Sequence, residues 1–339
     1  MRESTLNLLR SLASLKLTLL GILALLAGVL LAYFSPERNS APIMLPLVVL
    51  ALNLLAAIIY NPRIRQNSGL LMFHLCLLMI AVLTLLSHLT SMKGRVEVTQ
   101  GAAFDATTVT VVEQGALHGF EQLRQIKFIQ GDIEVSYSTG LRREATRSQL
   151  LSAGGNMIIV GDNVPFKSHG YRFYTTSNKG FAAIINWHTK EGGTRQGAIH
   201  FPSYPLYDWK QLNQWQAPSG EQLGFQLLID TRLDHDRDWL LQNNNQGQLV
   251  VTLPAGTRHE MEPGEHIELE NGTLEFEAIR MWMGYRIFYD PFLAWFFAAA
   301  LVGVAGLAWH YYLKLSSQAR RVRYVQRAGG RRVVSTTQS

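Results

Sequence analysis

Four runs of apolar residues, each close to or above the length needed to cross a bilayer, constrain this chain more than any other feature. Residues 17–34 (LTLLGILALLAGVLLAYF), 42–60 (PIMLPLVVLALNLLAAIIY), 70–90 (LLMFHLCLLMIAVLTLLSHLT) and 287–313 (IFYDPFLAWFFAAALVGVAGLAWHYYL) contain no Lys or Arg. A helix needs about 20 such residues to span ~30 Å of hydrocarbon. Within lipid each segment has to satisfy its own backbone hydrogen bonds, so the runs predict four spanning helices rather than open sheets. The first run follows basic residues as a secretory leader would. It ends in Tyr33-Phe34-Ser35-Pro36 with no small-x-small cleavage pattern, and so reads as an uncleaved anchor.

Basic residues beside spans stay on the cytoplasmic side. Arg2, Arg10 and Lys16 precede the first run, Arg63 and Arg65 separate the second from the third, and Lys314, Arg320, Arg321, Arg323, Arg327, Arg331 and Arg332 follow the fourth. The loop between the first two runs holds only Arg38, next to Glu37. This pattern predicts cytoplasmic N- and C-termini and an outward-facing middle. The net charge of +6 is then a positive-inside signature with some contact to anionic lipid, and calls for no nucleic acid.

Between the third and fourth runs the period shortens to alternating and β-branched stretches bounded by glycine and polar turns. The predicted fold is therefore an integral membrane α-helical protein with four spanning helices and an inserted, mainly antiparallel β extracytoplasmic domain. Its parts are an N-terminal membrane domain, 1–91, with three transmembrane helices; the extracytoplasmic β-rich domain, 92–286; the fourth transmembrane helix, 287–313; and a basic cytoplasmic tail, 314–339. Strands are predicted at 95–99, 107–113, 126–137, 156–160, 171–176, 182–188, 224–230, 249–253 and 266–280, with short helices around 115–125, 143–152 and 206–216. Asn271-Gly272 predicts a two-residue type I′ hairpin turn. Asp290-Pro291 predicts an N-cap followed by proline at N1 of the fourth helix, and the last ~15 residues read as disordered. Aromatic residues from Phe288 to Phe297 and at Trp309, Tyr311 and Tyr312 read as interfacial belts.

The one cysteine, Cys76, lies inside the third run, so this chain alone cannot form a disulfide or a thiolate metal site. No Gly-x-Ser-x-Gly, phosphate-binding glycine loop or Cys-x-x-Cys-His occurs, and the chain shows no catalytic constellation. The informative residues are ionisable groups within the apolar runs, where polarity is costly. His74 lies near the start of the third run, and His88 follows fourteen residues later. At 100° and 1.5 Å per residue the two imidazoles fall within about 40° of one helix face and roughly 21 Å apart. His310 stands between Trp309 and Tyr311 near the end of the fourth run. The plainer reading of His74 is an interhelical hydrogen bond, and of His88 and His310 a polar ring at the interface; Asn53 also reads as an interhelical hydrogen-bonding residue. His118, His169, His188, His200, His235, His259 and His266 show no metal-ligand spacing and read as surface or structural residues.

The layout and several local strings resemble the ResB family of system II cytochrome c biogenesis proteins. These strings are Ser11-Leu12-Ala13-Ser14-Leu15-Lys16-Leu17, Phe73-His74-Leu75-Cys76-Leu77-Leu78, Gly94-Arg95-Val96-Glu97-Val98 with Gln100-Gly101, Gly170-Tyr171-Arg172-Phe173-Tyr174, and Tyr289-Asp290-Pro291. The likeness spans nearly the whole chain, with little from about 190 to 265. It implies a multi-pass protein of the bacterial cytoplasmic membrane that helps move haem b outward to apocytochrome c with a CcsA-type, tryptophan-rich partner. It also implies that His74 contributes an axial ligand to the haem iron in transit, with His88 and His310 as secondary candidates. A thioredoxin-like thiol reductant is a further implied partner. Tryptophans are scattered here, so synthase activity would reside in the partner and this chain would be a subunit rather than an enzyme. The rival reading is a non-catalytic scaffold that docks apocytochrome or the thiol reductant without ligating haem. A small-solute permease is disfavoured by four helices without internal symmetry.

Overall fold

The computed structural model describes residues 11–35, 41–218, 220–230, 233–243 and 246–333. Arg2, Arg10, Glu37 and Arg38, which entered the charge argument, and residues 334–339 of the tail lie outside them. The chain divides into a helical unit, Met1–Thr90 with Pro291–Ser339, and a β unit, Ser91–Asp290.

Among the described residues four helices are long and apolar enough to cross a membrane: α1 (Leu15–Phe34), α2 (Ala41–Tyr60), α3 (Ser68–Thr90) and α4 (Leu293–Val333, whose candidate span is Leu293–Gln318). Ser14 caps α1 by accepting from the Leu17 amide, and Ser35 closes it. Asn61 and Pro62 end α2 and open a single turn, Pro62–Arg65, with the Asn61 carboxamide accepting from the Arg63 amide. Asn67 starts α3, its side chain accepting from the Leu70 amide at 3.1 Å.

Lipid is as apolar as leucine, so helices associate through close backbone approach and polar contacts. Both occur here. On α1, a Cβ at Gly21 would fall 2.7 Å from Leu50, and one at Gly28 would collide with the Pro42 carbonyl. Asn53, 3% exposed, donates to the Leu12 and Ser14 carbonyls and accepts from Thr18 Oγ1 at 2.7 Å. This is the interhelical role its sequence position suggests. Between α3 and α4, Gly69 abuts the Gly306 carbonyl and the His310 backbone, and Gly303 abuts Cys76.

The fourth helix differs from its sequence pattern at both ends. Residues 287–289 belong to a strand, α4 begins at Leu293, and the Phe292 carbonyl accepts the first helical bond, from Phe296. Asp290 and Pro291 therefore precede the helix rather than occupying its N-cap and N1 positions. At the far end the backbone stays helical through Val333, across Gly329-Gly330 where disorder is predicted.

The β unit is antiparallel throughout. Its strands are β1 (Met92–Thr99), β2 (Thr110–Gln114), β3 (Phe128–Ser138), β4 (Arg142–Ser152), β5 (Met157–Gly161), β6 (Phe166–Ser168), β7 (Tyr171–Thr189), β8 (Thr194–His200), β9 (Leu212–Gln216), β10 (Gln222–Ile229), β11 (Trp239–Leu241), β12 (Gly247–Thr252), β13 (Arg258–Met261), β14 (His266–Leu269) and β15 (Gly272–Tyr289). A seven-stranded sheet runs β2-β1-β15-β7-β6, with β14 also on β15 and β8 on β7. Two four-stranded sheets run β13-β12-β10-β9 and β11-β3-β4-β5. The long strands β7 and β15 are the spine. Lys179 to Ile185 of β7 are buried without alternation, as a strand covered on both faces requires. A closed ring of buried polar groups ties two sheets together: Gln130 Nε2 donates to Ser148 Oγ at 2.7 Å, Ser148 meets the Tyr285 hydroxyl at 2.5 Å, and Tyr285 donates to Gln130 Oε1 at 2.6 Å.

Three predicted helices are corrected. Residues 143–152 lie in β4, held between β3 and β5; of 115–125 only Glu121–Gln125 is helical; and 206–216 is a 3-10 turn at Asp208–Lys210 followed by β9. The Asn271-Gly272 hairpin exists one residue out of the predicted register. Leu269 pairs with Gly272, so Glu270-Asn271 form the loop, and neither has positive φ. Gly272 is needed for space instead: a Cβ there would lie 2.6 Å from the His188 carbonyl oxygen and 2.8 Å from the Trp187 ring.

Candidate functional site

Of the three sequence-predicted histidines, His74 has the clearest chemical disposition. It sits half-buried two turns into α3, and its Nδ1 lies 2.7 Å from the Leu70 carbonyl oxygen one turn back. A carbonyl only accepts, so in the neutral ring Nδ1 carries the proton and Nε2 keeps its lone pair. Nε2 has no hydrogen-bond partner among the described residues. Holding one ring nitrogen on a backbone carbonyl fixes tautomer and orientation, which is how metal-ligating imidazoles are commonly supported. The ring also meets Phe73 edge-on at 5.5 Å between centroids. Residues present at this position therefore fit a single axial nitrogen ligand to haem iron.

The helix seam lies elsewhere. Gly69, Met72, Phe73 and Cys76 face Gly303 and Gly306 of α4. At 100° per residue His74 points roughly 140° away from Gly69, on the other side of α3. His88, half-buried, occupies the last turn of α3. His310 lies on the seam, its backbone against Gly69. Its Nδ1 is buried without a hydrogen-bond partner among the described residues. The structure thus sets His74 and His310 on different sides of α3. Among the described residues no group of three or more His, Cys, Asp or Glu side chains converges as a metal site would.

In the β unit the histidines are tied into local networks. His118 bonds the Tyr171 hydroxyl at 2.9 Å, and His188 lies 2.9 Å from Glu275 and 2.9 Å from Thr194. Hydrogen bonds from His188 and Asn186 hold the Glu275 carboxyl below its ordinary value. His200 stacks on Trp282 at 5.1 Å and joins Glu97 to Thr99.

The pairing of β7 with β15 shifts register twice, once at Glu277 and once, more widely, at Gly284. Thr175 opposes Tyr285 and Lys179 opposes Met283, leaving Thr176, Ser177 and Asn178 against the single residue Gly284. A Cβ on Gly284 would lie 2.8 Å from the Asn178 carbonyl oxygen, so the bulge needs glycine opposite it. A cleft of about 850 Å³ opens beside it, lined by Arg95, Arg286, Thr110, Thr176, Asn178 and His200 among others. A neighbouring cavity of about 460 Å³ lies beside Ser177 and contains Lys179. Sequence reasoning missed both. The bulge carries no glycine or proline of its own, and Lys179 reads as an ordinary surface cation.

No protein-family model and no curated protein matches the sequence. Among solved structures, a Cytochrome c Heme Lyase CcmF aligns at 13% identity and a TM-score of 0.29, covering 88% of this chain and 34% of that one. The chain spans about a third of that structure's length. Likeness at this level fixes neither fold nor activity.

Proposed function

We propose that this chain is a membrane-embedded, haem-handling subunit of system II cytochrome c maturation, working with a CcsA-type partner that carries the synthase activity. In this reading α1 to α4 span the bacterial cytoplasmic membrane, both termini are cytoplasmic, and the β unit faces outward toward apocytochrome c. Haem is cargo, and His74 lends it one axial nitrogen during passage. The observation that carries the assignment is the hydrogen bond from His74 Nδ1 to the Leu70 carbonyl, which leaves Nε2 unpaired in the apolar run 70–82 of α3. Asn53 on α2, by contrast, spends its amide on the Leu12 and Ser14 carbonyls at the start of α1. The ordered strings shared with the ResB family support the same reading. Imidazole is a good haem ligand, and the leucine-rich surroundings exclude competing water.

The test is to co-purify the full chain with its CcsA-type partner and compare haem content and the visible spectrum of wild type with His74→Ala. The proposal expects a loss of most bound haem or a shift in its ligand-sensitive bands, with recovery on adding imidazole. Unchanged haem and spectrum in the variant would refute the ligand role and leave the docking scaffold as the better account.

A further inference from the structure

Lys179 is 2% exposed, in a β unit whose other buried polar side chains are largely hydrogen-bonded. It stands on β7 directly after the bulge, and its Nζ has one long contact, 3.4 Å to the Ser177 carbonyl oxygen, with the Tyr137 ring 5.8 Å away. Among the described residues no carboxylate lies within ion-pair distance of it. An ammonium withdrawn from water without a counter-ion costs several kcal/mol in effective terms. Burial accordingly pushes its pKa down to about 8, with Arg143 adding to the effect and Asp162 opposing it.

The surroundings leave that charge unanswered. The cavity of about 460 Å³ against Lys179 is walled by Tyr137, Leu141, Tyr204, Pro205, Leu206 and Leu233. Its other ionisable groups are Arg143, Asp208 and His235. Arg143 is itself bound to Asp162, and the Asp208 carboxylate lies beyond ion-pair distance of Lys179. The phenols of Tyr137 and Tyr204 are pushed up to about 12 by burial, so they stay neutral and supply no countercharge. An apolar pocket with one buried, unpaired cation is a receptor for a molecule of the opposite design.

We infer that this cavity binds an amphiphilic oxyanion, a ligand with a compact apolar body and one carboxylate or phosphate group that pairs with Lys179. The tyrosines and leucines cover the body, and the ligand's anionic oxygens supply the partner the ammonium lacks. This site lies wholly within the β unit, and the inference does not rest on the haem reading.

The experiment uses the full chain in nanodiscs of zwitterionic lipid and three fluorescent probes of one shape: 2-naphthoate, 2-naphthyl phosphate and the neutral 2-naphthamide. At least one anion is expected to bind about tenfold or more tighter than the amide, and the tighter anion identifies the head group. Lys179→Met, with an apolar side chain of similar length, is expected to bring that anion down to the level of the amide while leaving the amide's affinity unchanged. Arg142→Gln/Arg147→Gln, on exposed β4, serves as a control for net charge. The inference is overturned if wild type shows no preference for either anion, if Lys179→Met retains it, or if the control loses it equally. Should Lys179→Met fail to fold, wild type alone decides. The preference must fade as the ammonium deprotonates between about pH 8 and 10, and a preference constant across that range overturns the site.

Discussion

Removing one oxygen from the Gln130–Ser148–Tyr285 ring should cost more than removing either neighbour's share of it. The Tyr285 hydroxyl donates to Gln130 Oε1, so the hydroxyl of Ser148 must donate to Tyr285, and each member gives and takes one bond. Gln130 and Ser148 are fully buried and Tyr285 is 1% exposed, so water cannot replace a missing partner. Tyr285→Phe breaks two bonds and strands a serine donor and an amide acceptor. At about 1 kcal/mol per lost bond, and more for each stranded group, the expected cost is roughly 2–4 kcal/mol. Ser148→Ala leaves the Gln130 amide its contacts with the Gly131 and Gln149 carbonyls at 3.2 Å each, and leaves Tyr285 donating to Gln130. It should therefore cost only about 1 kcal/mol. The β unit holds five of the seven tryptophans, with Trp187 and Trp282 buried, so tryptophan fluorescence reports its unfolding. For a unit of this size each kcal/mol corresponds to about 2–4 °C in Tm. Tyr285→Phe should then lower the fluorescence midpoint by roughly 4–16 °C. A loss no greater than that of Ser148→Ala would refute the claim that the ring is closed and dry.

Gly272→Ala forces a methyl against the His188 carbonyl and the Trp187 ring, and should destabilise by about 1–3 kcal/mol in thermal unfolding. Gly197→Ala on β8, where a Cβ meets nothing within 4 Å, should be neutral or slightly stabilising. The buried ammonium of Lys179 makes stability depend on pH with a definite sign. Below about pH 8 both folded and unfolded chains hold the proton and the full burial cost stands; between about 8 and the ordinary 10.5 only the unfolded chain holds it, so stability rises with pH. Urea midpoints should show a gain of about 1 kcal/mol from pH 8 to 9, before the tyrosines of the unfolded chain, which ionise near pH 10 and are buried in the folded one, begin to offset it. Lys179→Met should flatten this rise and raise stability near neutral pH.

The helices were legible because twenty apolar residues without a charge leave few alternatives in any context. The strands were legible where one face meets solvent, as in the alternation of β1 from Met92 to Val98. Legibility failed where tertiary pairing outweighs local preference. Residues 143–152 contain good helix formers, yet they lie in β4 because β3 and β5 claim both edges of that segment. The fourth helix begins later than its sequence pattern because Ile287-Phe288-Tyr289 is as apolar as the helix it precedes, and the ladders with β1 and β7 show it to be strand. At the candidate site, position along the chain gave His74 but not its hydrogen bond to Leu70. The aromatic neighbours of His310 do not reveal its seam, whereas the three-residue spacing of Gly303 and Gly306, on the same helix face, does. Lys179 had no signal at all, since its burial arises from a bulge built by residues 176–178 against Gly284.

The first and last strands of the β unit are direct neighbours. Met92 pairs with Tyr289, and eight consecutive pairs run from there to Thr99 and Trp282. Two residues so paired have Cα atoms only about 5 Å apart, so the two ends of this unit of some two hundred residues emerge side by side. In engineering terms the β unit is a cassette. Its adjacent ends are the geometry that grafting into a hairpin loop of another protein requires.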